Sequence, residues 1–495
     1  MCVFDKGDYR MGILRISARV ILAITVISAS VLAAGFENTG IGIQARAMGG
    51  SFRAVANDWT AAYYNPAGYA YIADNQWGVD AAFLHYRDEL TPNYTYGGMD
   101  SVTGFYNGRV IYNKHSVIAN PTGGIVGKLP IMGETVWGIS VYQPFDQNIS
   151  WNLYQPPRAY NDSLSAPDNQ YGVNLDVVAF QVTMAREITP GKMAIGVGLQ
   201  LLRADLNYHD LKFRSTPLAE SPYTDIPYNH IPEFVNTDGN GWGLGFRLGL
   251  MYKLNEKTNL GVTAALPFSI TTKGDARLDY LMPMIKSVRR KQTDPNSVNY
   301  LFASGRSVSL SREFEAKLKL PPSFGVGVSR KMTDKLLLAL DAEYTFWSTF
   351  DGLQFELASG NGLSGAANDP SVRDFFTANI ATDVEWKNTF KAALGGRYDM
   401  TNVLTLLAGI SLDQGVNPDK VGFLPQFMDS GTKFGFNGGL MLHLQTWELG
   451  VSGSVISNPD LTVGQSYDSE GSLIGFPGQY KGTTFETVFS IAHRF

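Results

Sequence analysis

The last twelve residues, 484–495, alternate with a period of two. Phe485, Thr487, Phe489, Ile491, His493 and Phe495 share one parity; Thr484, Glu486, Val488, Ser490, Ala492 and Arg494 share the other. Successive strand side chains point to opposite faces, so this pattern predicts a strand with one mostly apolar face and one small, polar or charged face. The apolar face runs to the final Phe495. In a soluble sheet such an edge would invite aggregation; facing lipid it is what the surroundings demand.

The same alternation recurs at 76–88, 122–129, 135–148, 173–187, 192–208, 242–254, 258–271, 312–330, 335–357, 385–398, 402–413, 432–444 and 446–458. With the last strand, 482–495, the total is about 14, an even number of the kind single-chain bacterial barrels have. The connections sort by length. Turns of a few residues near 130–134, 188–191, 255–257, 331–334, 399–401 and 445 alternate with long segments at 89–121, 149–172, 209–241, 272–311, 358–384, 414–431 and 459–481. Short periplasmic turns against long external loops predict an all-β fold, a transmembrane antiparallel β-barrel spanning residues 76–495. Backbone groups in lipid must be paired internally, so the sheet must close.

The N-terminus adds an export signal. Lys6, Arg10, Arg15 and Arg19 precede an apolar run, residues 20–31, that is too short to span a bilayer, and Leu32-Ala33-Ala34 offers small residues for cleavage before Gly35. Residues 1–34 therefore read as a signal peptide, with Met1 or Met11 as the start. No later stretch approaches the ~18 apolar residues of a membrane helix. The only cysteine, Cys2, lies in the signal, so the mature chain has no disulfide or thiol chemistry. Removing residues 1–34 takes away four basic and two acidic side chains, lowering the formal charge from -5 to -7. That balance argues against nucleic acid as a partner. Gly (52), Tyr (24) and Phe (28) are abundant, which suits a barrel with aromatic residues at both interfaces.

No chemistry of an enzyme stands out. His85, His115, His209, His230, His443 and His493 form no i, i+4 ligand pair, and no Gly-x-Ser-x-Gly elbow occurs. No cofactor, metal or catalytic residue is expected.

Before the first strand come Gly40-Ile41-Gly42, Ala47-Met48-Gly49-Gly50, Ala54-Val55-Ala56-Asn57-Asp58 and Tyr64-Asn65-Pro66-Ala67-Gly68. Later come Gly239-Asn240-Gly241-Trp242-Gly243, Leu320-Pro321-Pro322-Ser323, Tyr344 to Phe350, and Trp386-Lys387-Asn388. In this order these motifs resemble the FadL/TodX family of outer-membrane transporters for hydrophobic compounds. The family often has Asp where this chain has Asn388, and Arg near the position of Lys433.

The resemblance implies that residues 35–75 fold inside the lumen as a hatch. The composition agrees: the segment is rich in Gly and Ala and lacks clear alternation, while Phe36, Met48, Phe52, Trp59, Tyr63 and Tyr64 argue against disorder. It also implies passive diffusion of fatty acids or hydrocarbons, with sideways release into the bilayer at a kink in the third strand. Pro144-Phe145-Asp146 is where that kink is expected, because proline removes a ladder donor. Asn65, with Pro66 and Ala67 at the hatch tip, would bond the backbone freed there. An outer binding groove would draw on Leu281, Met282, Met284, Ile285 and Val288, since Met-rich surfaces adapt to varied ligands. Arg289, with Lys286 and Arg290, would receive a carboxylate head group. The expected partners are a hydrophobic small molecule, outer-membrane lipid and lipopolysaccharide, and the barrel assembly machinery that reads a terminal aromatic strand; the barrel is expected to be a monomer. The alternatives are a structural or secretion-partner barrel without transport, a barrel lipase, and an unselective porin.

Overall fold

A computed structural model describes the chain from residue 34 onward, except 97–101, 115–116, 129–133, 159, 161–165, 359–361, 418–422, 430, 468–472 and 474. The expected signal peptide, apart from Ala34, and most of the turn near 130–134 lie outside the described residues.

The first six strands are continuous: β1 (Gln76–Pro92), β2 (Val117–Lys128), β3 (Val136–Trp151), β4 (Tyr171–Thr189), β5 (Met193–Ser215) and β6 (His230–Asn255). The next four each run in two pieces: β7 (Thr258–Pro267 and Ile270–Leu281), β8 (Ser323–Lys331 after Ser307–Leu318), β9 (Leu336–Thr345 and Gly352–Leu357) and β10 (Ile380–Asp383 and Thr389–Asp399). Then follow β11 (Leu404–Gln414), β12 (Thr432–Leu444), β13 (Trp447–Ser457) and β14 (Gly478–Arg494). Each pairs antiparallel with the next. β14 then pairs with β1 from Gln76↔Arg494 to Pro92↔Gly478, closing a 14-stranded barrel. Closure joins the first and last strands edge to edge, as backbone in lipid requires.

The outward faces mark the bilayer. On β5, Ile195, Val197, Leu199 and Leu201 are exposed; on β6, Trp242, Leu244 and Leu248; on β14, Phe489 and Ile491. The opposite parity of β14 is buried, with Thr484, Glu486 and Val488 inward, as the alternation predicts.

Several strands extend further than their sequence suggests, among them β5 and β6. β5 continues to Ser215 and β6 begins at His230, where the expected bounds were 208 and 242. Beyond Leu201 and before Trp242 the outward positions become Arg203, Asp205, Asn207, Asn236, Asp238 and Asn240, while Leu206, Tyr208 and Val235 face inward and are buried. The ribbon rises above the lipid into water, so polarity changes sides while the ladder runs on. A rule that looks for a greasy outer face stops at that boundary.

Candidate functional site

The N-terminal segment is tied to strands around the whole ring. Arg46, in the short helix Ile43–Ala47, is ion-paired with Glu486 of β14. Arg53 meets Asp341 of β9 at 3.3 Å, pairs with Glu343, and donates to Thr263 of β7 at 3.1 Å. Tyr69 approaches Ser140 of β3 at 3.4 Å. Gln181 of β4 donates to the Ala62 carbonyl at 2.8 Å, and Arg247 of β6 to the Tyr63 carbonyl at 2.7 Å. All five charged groups of the first two clusters are buried, so each depends on its partner.

Glycines make this fit possible. A Cβ at Gly249 of β6 would run into Asn65, one at Gly261 of β7 into the Arg53 carbonyl, and one at Gly409 of β11 into Met48. These inward positions are glycine because the segment's backbone comes closer than any side chain allows.

The second feature is a gap in the wall. The β2–β3 ladder stops at Gly123↔Val141. On its other side β3 keeps pairing with β4, with a register shift between Tyr142 and Phe145, the local break that Pro144 predicts. Above Val141, β3 has no ladder partner on β2 among the described residues. Backbone of the N-terminal segment takes that place. Asn38 donates its N–H to the Pro144 carbonyl at 2.9 Å, and Asp146 donates to the Phe36 carbonyl at 2.9 Å. Across the gap, Asn120 of β2 donates to Asp146 at 2.5 Å.

Phe36 is the hub of an aromatic cluster. Its ring lies 5.8 Å from Phe145, 4.8 Å from Trp347, 5.1 Å from Phe350, 5.8 Å from Trp386 and 6.3 Å from Phe427. Trp347 and Phe350 lie in the break of β9, and Trp386 in that of β10. The interruptions of these strands thus turn large rings inward onto one residue. Beside them, Glu37, Pro144, Phe145, Arg247, Pro321 and Thr345 line a small cavity of about 20 Å³, room for one water. Burial, reinforced by the nearby Glu343, pushes the Glu37 carboxyl up to about 8.

The expected site residues fall into three places. Pro144, Phe145 and Asp146 lie at the wall gap. Asn65, Pro66 and Ala67 do not reach it. Asn65 donates to the Arg53 carbonyl at 2.8 Å and to the Leu250 carbonyl of β6 at 3.2 Å, and it accepts from Ala67 N at 3.1 Å. The backbone at the kink is met instead by Phe36 and Asn38, which correct that expectation; nothing local in the sequence ties residue 36 to residue 144. The loop residues form a third group. Leu281, Met282, Ile285 and Val288 are buried, so they form a packed core under the loop rather than an open groove. Arg289 is engaged, donating to Tyr300 Oη at 3.0 Å and to Met284 Sδ at 3.3 Å. The sequence carries part of the signal: Trp347, Phe350 and Trp386 interrupt period-two alternation and so mark the breaks in β9 and β10, though not the residue on which they gather.

The family described as outer membrane protein transport protein (OMPP1/FadL/TodX) matches residues 24–421. A putative outer membrane protein of Neisseria meningitidis serogroup B is 24% identical over 439 residues, 86% of each chain. A 47 kDa outer membrane protein of Pasteurella multocida is 25% identical over 178 residues, 36% of this chain and 35% of that one. Among solved structures, a Pseudomonas aeruginosa FadL homologue superposes with TM-score 0.70 at 16% identity, covering 93% of this chain and 100% of that one. The P. putida toluene transporter TodX superposes with TM-score 0.64 at 16% identity, covering 92% and 99%.

Proposed function

Since the chain belongs to the OMPP1/FadL/TodX family of outer membrane transport proteins, we propose that it carries fatty acids or hydrocarbons by passive diffusion and releases them sideways into the bilayer. The chain is an outer-membrane β-barrel channel of a family for hydrophobic compounds, and that family is made up of transport channels rather than enzymes.

The observation that carries the reading is the gap between β2 and β3, covered from inside by Phe36–Asn38. In this reading residues 35–75 are a hatch. The ligand enters among the outer loops, and the cluster from Leu281 to Val288, closed in this structure, parts to admit it. Arg289 then exchanges Tyr300 for a carboxylate when the ligand has one. The ligand displaces Phe36 from its aromatic neighbours, the Phe36–Asn38 backbone leaves Pro144 and Asp146, and the gap opens to lipid. A sideways exit suits the cargo. Each methylene favours an apolar site by about 0.8 kcal/mol, so a route ending in water would strand a long chain inside the protein.

The test is uptake of labelled oleate and labelled toluene by cells carrying this protein as their only channel of the family. A covalent staple across the gap, Asn120→Cys with Asp146→Cys, should stop uptake when oxidised and restore it when reduced. Equal uptake in both states would sink sideways release. No uptake of either compound by the native protein would sink the choice of cargo. Co-purifying exported proteins, with no uptake defect on deletion, would favour a secretion-partner barrel.

A further inference from the structure

We propose that the mature chain begins at Ala34, and that its new α-ammonium group is an ionic anchor for the buried carboxylate of Asp413, next to the Gly35 N–H that Asp429 holds. Ala34 is only 2% exposed, and its backbone nitrogen lies 3.0 Å from Asp413 Oδ2. The next nitrogen, that of Gly35, donates to Asp429 Oδ2. Two buried carboxylates, one on β11 and one in the β11–β12 connection, thus converge on two successive backbone nitrogens.

A neutral amide answers this arrangement poorly. It offers one hydrogen and no charge, whereas a buried carboxylate needs several donors and a counter-charge. Asp413 Oδ1 is buried without a hydrogen-bond partner among the described residues. Its nearest lysine, Lys391, stands 3.9 Å away, beyond hydrogen-bond reach; Lys433 is committed to Asp429 at 2.6 Å. Glu37, three residues on, brings a further, half-buried carboxyl. An ammonium on Ala34 supplies three hydrogens and a positive charge within hydrogen-bond reach of Asp413, at the atom already held.

Local geometry fixes that atom in place. Gly35 has φ +60°, and a Cβ there would lie 2.7 Å from the Trp347 ring, so only glycine fits against the indole. Cleavage adds water across the Ala33–Ala34 peptide, leaving a carboxylate on Ala33 and an amine on Ala34 that is mostly protonated at neutral pH. Val31 and Ala33 meet the small-residue preference of leader peptidases. Cleavage one bond later, before Gly35, would discard the nitrogen that Asp413 holds.

Protein extracted from outer membranes is the material for the test. Intact mass and N-terminal sequencing should give Ala34 as the first residue. An N-hydroxysuccinimide acetate should label its α-amine roughly tenfold or more slowly in the native barrel than after unfolding, because the group is held inside. The double variant Asp413→Asn, Asp429→Asn should lose that protection. A different first residue, or native labelling as fast as unfolded, overturns the proposal. Both measurements are made on the native protein, so they decide even if the double variant fails to assemble.

Discussion

Asn38 and Pro144 are joined by one backbone hydrogen bond of 2.9 Å, from the N–H of the first to the carbonyl of the second. Proline cannot donate to a ladder, and here the strand that carries it has lost its partner on β2. The N-terminal segment serves as a substitute strand three residues long. Its hydrogen bonds to the wall are few, and its partners there are backbone groups.

Replacing the proline tests that hold. Pro144→Val restores a donor and favours straight pairing of β3 with both neighbours. Uptake of labelled oleate should fall several-fold while the heat-modifiable barrel band is unchanged; undiminished uptake would show that the break is incidental.

The inward glycines should be sensitive in proportion to the approach they permit. Gly249→Leu places a side chain where Asn65 sits and should push the N-terminal segment off β6. Planar-bilayer conductance should rise well above that of the native protein. Gly438→Ala is the control, because its Cβ would meet nothing closer than 3.8 Å, and its conductance should not change.

Arg53 is the most heavily used cation of the segment. Arg53→Met leaves Asp341 and Glu343 buried without their partner, a loss of about 3–5 kcal/mol in comparable pairs. The segment should become accessible to protease in the purified barrel, at sites between residues 34 and 75. Resistance equal to that of the native protein would mean that the ion pairs do not hold it.

Glu37 predicts a pH dependence of the same docking. Burial raises its carboxyl from 4.5 to about 8, with Glu343, Lys391, Asp413 and Arg247 as its charged surroundings. An acid that is harder to ionise when docked stabilises the docked state fully below about 4.5, and that stability is lost as pH rises through about 8. The loss is at most about 1.4 kcal/mol per pH unit for one proton. Protease access or conductance should therefore increase from pH 6 to pH 9, and Glu37→Gln should flatten the change. An increase of the same size in the variant would assign it to another group.

Much of the fold was legible because a barrel wall is a local problem. Phe489 and Ile491 face out and Glu486 and Val488 face in because successive residues must point opposite ways, and only one side meets lipid. Chain order, strand number and the sorting of short and long connections follow from that alternation. The rim was less legible: at Arg203 and Asn240 the solvent outside changes from lipid to water, so the polarity pattern ended before the strands did.

The sequence by itself determined the alternation, the count of strands and the weak point at Pro144, since each is set by a residue and its immediate neighbours. Only the tertiary structure decided that Phe36 and Asn38, not Asn65, meet that weak point, that Trp347, Phe350 and Trp386 gather on Phe36, and that Gly249 and Gly261 are vacant for a visiting backbone. Those relationships join parts of the chain more than a hundred residues apart through the barrel's interior, and no periodicity along a strand records what will lie against its inner face.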